Sequence, residues 1–361
     1  MKVMTILGVR PDIIKMWSTL KKLDSLNFDH VMVHTGQNFT PELKDFFFDD
    51  LELRQPDYYL DITTKNYAEE ISDIIKKTDQ VFEKVKPEAL VILGDTFSGL
   101  SILPAKNRGI KTFHMEAGLR AWDKRMPEQR NRILIDHMSD ILLPFNNYHR
   151  ENLIRENIHP SKIIVTGNTT FEVMRNFQDK IDKSDILNKY KLYKNEFIIL
   201  SAHRPENVDN PDSIDKILEL GIALKEYFKK EIILPLHPRT KSKIRDLKKF
   251  ESKFIITKPL GYLDFNKLIK NSFCILSDSG TSAEEGIFYN IPNVNLRMTT
   301  ERMETLEGGS TIVSGLEHRH VIAAIETSDL LRNKPRYDMS VDHSPSSVVI
   351  NTLRTNITNF F

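Results

Sequence analysis

Three carboxylates in this sequence stand where a chain offers side chains to a ligand rather than to its own core. Asp95 follows the apolar run Val91-Ile92-Leu93-Gly94, and Glu116 closes a second run, Lys111 to Met115. Glu128 is the second residue of a helix opened by Pro127, whose fixed φ and missing N–H suit a first helical position. Arg120, Arg125, Arg130 and Arg132 lie close by in the chain. Carboxylates at strand ends and a helix start, with guanidinium groups beside them, can move a proton next to an anionic ligand.

The second half of the chain carries a different device. Leu276-Ser277-Asp278-Ser279-Gly280-Thr281-Ser282-Ala283-Glu284-Glu285 reads as a strand end, a turn of small residues and a helix start. Free N–H groups and the helix dipole at such a point bind phosphate, and Glu285, one turn in, can accept hydrogen bonds from a ribose diol. The same residues suit an ordinary helix cap by Ser279 or Thr281, with nearby acids complementing the dipole. Ser201-Ala202-His203-Arg204 puts a histidine and an arginine just past a strand, where a diphosphate could lie. A lone histidine there is usually structural, so His203 gains weight only from its company. Leu236-His237-Pro238-Arg239 repeats the pattern one strand later, and Thr299-Thr300-Glu301-Arg302 adds another cation.

Alternating strands and helices must carry these residues. Apolar runs at 2–7, 28–33, 89–93, 111–115, 141–143 and 162–166 predict one parallel sheet. Runs at 197–201, 231–234, 254–257, 273–276 and 292–296 predict a second. Gly8-Val9-Arg10-Pro11 breaks the first run ahead of helical spacing at Ile13, Ile14, Trp17 and Leu20, the opening of a βαβ unit. Helices follow over 67–85, 212–229 and 263–271, and another starts at Thr40-Pro41-Glu42 and contains Phe46, Phe47 and Phe48. The fold class is α/β, with two Rossmann-like doubly wound domains facing across a cleft. They span 1–168 and 169–343, and a C-terminal helix, 344–361, packs back across the domains. Ligands of such sheets sit at the carboxyl ends of the strands.

Composition narrows the partners. Lys+Arg of 51 against Asp+Glu of 50 leaves no charge excess for nucleic acid or an acidic membrane. No apolar run reaches the ~18 residues of a membrane span, and the N-terminus is strand-like from Lys2, without a secretory h-region. The single cysteine, Cys274, sits in an apolar run as a core residue and permits no internal disulfide, so a cytoplasmic protein is expected. Neither half has a G-x-G-x-x-G or Walker loop, and D-x-D, H-E-x-x-H and C-x-x-C do not occur. Neither a metal nor any other cofactor is expected.

Taken in order, GVRPDIIKM, HTGQN, LGDT, HMEAGLR, MPEQRNRILIDH, SAHRPEN, HPRTK, SDSGTSAEE and TTERMET resemble the motifs of the non-hydrolysing UDP-N-acetylglucosamine 2-epimerases across residues 1–330. The resemblance implies a glycosyltransferase-B-like fold with UDP bound mainly by the C-terminal domain. It implies that Arg10, Lys15, Asp95, Glu116, Glu128 and His203 occupy catalytic or active-site positions. By the same likeness Ser279, Gly280 and Glu285 are phosphate and ribose contacts, and Arg302 is the cleft arginine. The candidate catalytic set is Asp95, Glu116, Glu128 and His203, with no metal ligand. The candidate UDP-binding set is Arg10, Lys15, Arg132, Arg204, His237, Ser279, Gly280, Thr281, Glu285 and Arg302. The expected substrate is a UDP-N-acetylhexosamine destined for surface polysaccharide, and the expected assembly is a homodimer.

Two departures stand out. The family often reads GTRPE at its first turn, where this chain has Gly8-Val9-Arg10-Pro11-Asp12. In bacterial members a TGQH-R-[QE]-M-L-D stretch helps bind an activating second UDP-sugar, and Thr35-Gly36-Gln37-Asn38-Phe39-Thr40-Pro41 replaces it here, so no such activation is expected. HTGQN, FFDDLELRQPDYYL and HMEAG are also similar to a sister group that interconverts UDP-N-acetyl-L-talosamine and UDP-N-acetyl-L-fucosamine, which gives an alternative substrate.

The implied chemistry suits the residues. The C2 proton of an N-acetylhexosamine is not acidified by a carbonyl, so direct deprotonation is slow. Expelling UDP from C1 as a base takes that proton leaves a glycal, to which UDP and a proton return on the other face. Such a route needs carboxylates on both faces of the sugar, cations for the departing UDP and a cleft that closes. The rival readings are a UDP-sugar glycosyltransferase of the same fold, a hydrolysing epimerase and a non-catalytic sensor.

Overall fold

The computed structural model describes residues 1–36, 48–62, 66–123, 126–330 and 343–359. The chain divides into two compact units, residues 1–173 with 339–361, and residues 174–338.

Unit 1 is a six-stranded parallel sheet of β1 (Lys2–Leu7), β2 (Asp29–His34), β3 (Tyr58–Tyr59), β4 (Ala89–Leu93), β5 (Lys111–Met115) and β6 (Ile141–Leu143) in the order β3-β2-β1-β4-β5-β6. β4, Ala-Leu-Val-Ile-Leu, is buried along its whole length, the signature of a strand covered on both faces. Helix α1 (Arg10–Ser25) leaves β1 after a Gly-Val turn, with Asp12 in its first turn. Helix α2 (Tyr67–Val85) is capped by Asn66, whose side chain accepts from the Glu69 N–H at 3.0 Å, and it stops at left-handed Lys86. It buries Ile74, Thr78, Val81, Phe82 and Val85 at helical spacing. Phe82 packs into one core cluster with Met4, Ile6, Leu90 and Ile92 of the sheet. Helix α3 (Pro127–Met138) and helix α4 (Asn147–Arg155) follow β5 and β6.

Unit 2 repeats the plan. β7 (Phe197–Ser201), β8 (Glu231–Pro235), β9 (Ile255–Thr257), β10 (Cys274–Ser277), β11 (Asn293–Asn295) and β12 (Thr311–Val313) lie in the order β12-β11-β10-β7-β8-β9. Successive residues of β7 feed opposite faces: Ile198 and Leu200 join the core that holds Cys274 and Leu276, and Phe197 and Ile199 join the one that holds Ile275. Each order is the doubly wound 3-2-1-4-5-6 pattern, which reverses beside its first strand.

Differences from the sequence-based expectation fall at the sheet margins. Residues 162–166 form no strand; a single bridge joins Leu142 to Ile163. The segment starts from a 3₁₀ turn, Pro160–Lys162, and runs beside β6 by separate bonds, Ile164 N–H to Leu142 O at 2.9 Å and Thr166 N–H to Pro144 O at 2.9 Å. Pro144 has no N–H to return, so the ladder cannot continue there. Two short edge strands, β3 and β12, were too brief for periodicity to disclose. The helix start at Thr40-Pro41-Glu42, Phe46 and Phe47 lie outside the described residues, and Phe48 is fully buried.

The chain returns to unit 1 in a C-terminal helix, α5 (Pro345–Asn359), against α1. Its start is clasped by Glu172, which accepts from Ser344 Oγ at 2.5 Å, Ser346 Oγ at 2.8 Å and the Ser346 N–H at 3.0 Å. Lys22 Nζ donates to Ser344 and Ser347 Oγ, both at 2.6 Å. Among the described residues no helix is long and apolar enough to cross a membrane.

Candidate active site

The reversal point of unit 1 lies between β1 and β4, and the turns that leave β1, β4 and β5 carry the candidate residues. Gly94, with φ of 74°, ends β4 and delivers Asp95. Glu116 ends β5 at φ of 61°, a left-handed backbone that a non-glycine residue adopts at a cost of about 1–2 kcal/mol. The cost is met by specific bonds. Lys15 Nζ, buried on α1, donates to Glu116 Oε2 at 2.5 Å. Arg132, buried on α3, donates through Nη1 to the Glu116 main-chain oxygen at 2.6 Å and through Nη2 to Glu116 Oε1 at 3.3 Å. The same Nη2 pairs with Asp95 Oδ2, and Asn131 Nδ2 donates to Asp95 O at 3.1 Å. Four expected residues, Lys15, Asp95, Glu116 and Arg132, are thus joined directly. Arg10 is the first residue of α1 and Glu128 the second of α3, both half-exposed.

Asp12, which in sequence marks only a departure from the family's usual first turn, is a fifth member. Its Oδ2 accepts from the Gly8 and Val9 N–H groups at 2.8 and 3.2 Å, with Thr96 Oγ1 at 3.3 Å and Ser98 Oγ at 3.4 Å. One buried carboxylate therefore ties the turn that carries Arg10 to the turn that carries Asp95. Burial pushes this carboxyl up to about 7, with Asp95 and Glu116 adding to the rise and the two backbone N–H groups opposing it. An acid poised near neutrality beside two other carboxylates suits proton transfer.

In unit 2 the reversal point lies between β7 and β10, and Asp278, just past β10, organises it. Its carboxylate accepts from the His203 N–H at 3.0 and 3.1 Å, the Arg204 N–H at 2.9 Å and Asn207 Nδ2 at 3.0 Å. His203 Nδ1 stands 3.4 Å from it. The His203 and His237 ring centroids are 5.3 Å apart; His237 Nδ1 accepts from the Arg239 N–H at 3.2 Å and caps the short helix Pro238–Lys243. Ser279 occupies the cap position of the helix Gly280–Tyr289, but its hydroxyl makes no cap bond, and Gly280 and Thr281 are the first two helical residues. A Cβ on Gly280 would lie 2.9 Å from Glu301 Oε1, so that helix start meets the loop after β11 closely. Glu301 would be raised by burial, but Arg297, Arg302 and Arg204 hold it down at about 2. Arg302 also pairs with Glu284 at 3.0 Å, and buried Glu285 accepts from Asn266 Nδ2 at 3.4 Å. Asp278 and Glu301, neither nominated from sequence, are what gather His203, Arg204 and Arg302. Unit 2 thus assembles arginines, histidines and a helix start at one sheet edge, a setting able to take an anionic group.

Among the described residues no cluster of three or more metal-binding side chains occurs. Arg125 and the stretch Gln37-Asn38-Phe39-Thr40, on which the expectation about activation rests, lie outside the described residues.

A model of the UDP-N-acetylglucosamine 2-epimerase family matches residues 21–345. A UDP-N-acetylglucosamine 2-epimerase of Methanocaldococcus jannaschii is 35% identical over 345 residues, 93% of each chain. A UDP-2,3-diacetamido-2,3-dideoxy-D-glucuronate 2-epimerase of Pseudomonas aeruginosa is 33% identical, covering 91% of this chain and 92% of its own. The crystal structure of the M. jannaschii UDP-GlcNAc 2-epimerase in complex with UDP-GlcNAc and UDP superposes with a TM-score of 0.90 at 34% identity, covering 98% of this chain and 99% of that one. With a match that runs almost from end to end in both sequence and fold, this chain belongs to the UDP-N-acetylglucosamine 2-epimerase family.

Proposed function

We propose that the protein is a non-hydrolysing 2-epimerase that interconverts UDP-N-acetylglucosamine and its C2 epimer. The observation that carries this reading is the Lys15–Glu116–Arg132–Asp95 cluster at the reversal point of unit 1, with Asp12 beside it. One carboxylate takes the C2 proton as the C1–oxygen bond breaks and its electron pair leaves with UDP. The glycal that remains has a C1–C2 double bond. Addition then reverses the flow: UDP oxygen re-forms the bond to C1, and a second carboxyl delivers a proton to C2 from the opposite face. Lys15 and Arg132 hold the carboxylates against mutual repulsion and fix their directions. In unit 2, His203, Arg204 and Arg302 neutralise the diphosphate, Ser279, Gly280 and Thr281 receive it at a helix start, and Glu285 accepts from the ribose. Kinship with the M. jannaschii and P. aeruginosa epimerases supports the reaction type, and the lone buried Cys274 suits a reducing cytoplasm.

The test is incubation with UDP-N-acetylglucosamine in D2O without any acceptor. Deuterium at C2 of an epimer that still carries UDP is the expected product. Free sugar plus UDP would make the enzyme a hydrolysing epimerase, and an unchanged substrate would point to a transferase or a sensor. Epimer with C2 protium retained would replace elimination by a redox or ring-opening route. Running UDP-N-acetyl-L-talosamine in parallel ranks the alternative substrate by kcat/KM, and light scattering tests the homodimer.

A further inference from the structure

His114 and Asp136 take no part in the proposed proton transfers, yet the β4 turn, the β5 turn and α3 are all tied to them. His114 sits on β5, two residues before Glu116, and is fully buried. Its Nε2 lies 2.8 Å from the carbonyl oxygen of Gly94, the residue that delivers Asp95. A carbonyl can only accept, so Nε2 donates. Its Nδ1 lies 2.7 Å from Asp136 Oδ1 on α3, the helix that also supplies Glu128 and Arg132. Asp136 Oδ2 in turn accepts from the Gly118 N–H at 3.2 Å, in the turn that follows Glu116, and pairs with Arg120 Nη2 at 2.8 Å. Arg120 is anchored on Glu156 by two bonds of 2.7 and 2.5 Å, and Asn152 Nδ2 holds the Gly118 carbonyl at 3.0 Å. Burial alone would raise the Asp136 carboxyl, but the His114 bond and the Arg120 and Arg132 charges keep it below the ordinary range.

We propose that the buried His114–Asp136 pair is a positioning device for catalysis, holding the residues that carry Asp95, Glu116 and Glu128 in one mutual register. The inference rests on the epimerase reading above. The pair reaches the β4 turn, the β5 turn and α3 at once, the three elements that carry Asp95, Glu116 and Glu128. Displacing a reacting group by about 1 Å can cost about 10²-fold in rate, so the register itself carries catalytic weight.

The test compares the parent with Asp136→Asn, His114→Gln and the double variant. UDP affinity, which reports unit 2, and circular dichroism establish that each is folded. The expected result is a kcat about 10²-fold lower in each single variant with KM and UDP affinity within about threefold of the parent. Slower proton transfer should also raise the primary isotope effect with C2-deuterated substrate. The double variant should lose no more than either single one, because the two residues act as a unit. Should Asp136→Asn fail to fold, His114→Gln, which keeps one amide donor, decides the matter. A kcat within threefold of the parent, losses that multiply in the double variant, or loss of fold in both singles would each overturn the proposal. A parent that neither epimerises nor exchanges C2 hydrogen would instead refute the epimerase reading and this inference with it.

Discussion

Glu116 is the residue where local cost and proposed chemical role meet. Its left-handed backbone persists because Lys15 and Arg132 hold its side chain and its own carbonyl, so the fold itself fixes the direction of the carboxylate. Glu116→Gln keeps the size and removes the charge. Turnover should fall by about 10² or more while UDP affinity survives, and Glu128→Gln should behave likewise. Near-parental rates in both would make these carboxylates structural. Asp12 offers a stability readout at the same scale. Its carboxyl is raised from 3.8 to about 7 in the fold. Between those values the folded chain keeps a proton that the unfolded chain has lost. The group's stabilising contribution is therefore complete below pH 3.8 and is lost as pH rises through about 7. In urea unfolding at several pH values, Asp12→Asn should flatten that decline; parallel slopes for parent and variant would contradict the assignment.

At the scale of elements, two close approaches decide geometry. Gly118 has φ of 81°, and a Cβ there would lie 2.3 Å from the His149 carbonyl oxygen on α4. The turn after Glu116 is therefore pressed directly onto a helix backbone. Gly118→Ala should cost more than about 2 kcal/mol in chemical denaturation, since strain and a backbone clash add. The start of α5 depends on Glu172, which supplies from another helix the acceptors that a capping residue would otherwise provide. Removing it in Glu172→Ala leaves Ser344, Ser346 and Lys22 without that acceptor, at a cost of about 1–3 kcal/mol. Hydrogen exchange at the Ser346 and Ser347 amides should accelerate at least tenfold; unchanged protection would mean that α5 is held by its packing on α1 alone.

The whole molecule is one plan used twice, with opposite chemistry at the two reversal points. Unit 1 places carboxylates there, and unit 2 places arginines, histidines and a helix start. His203→Ala and Arg302→Ala should therefore weaken UDP binding and turnover together, unlike the glutamate substitutions of unit 1. Calorimetric titration with UDP separates the classes: full affinity in Arg302→Ala would remove it from the proposed diphosphate site. Arg302 also neutralises buried Glu284 and Glu301, so its loss should lower stability as well.

The strands β1, β4, β5, β7 and β10 were legible in the sequence because burial on both faces imposes an unbroken apolar run, which is a local property. So were Asp95, Glu116, His203 and Ser279, since a polar residue just past such a run must lie at a carboxyl edge. The assignment of roles among them leaned on family likeness rather than on spacing. Strand order and the pairing of distant side chains were decided only in three dimensions. Asp12, Asp136, Asp278 and Glu301 look in sequence like helix-start or surface acids. Asp278 acts on His203 from 75 positions away, and Arg132 reaches Asp95 across 37. Reversal of strand order brings the β1 and β4 turns side by side, and only that adjacency lets one carboxylate span both. A buried acid's charge is set by the dielectric and the donors around it, and those neighbours come from elsewhere in the chain.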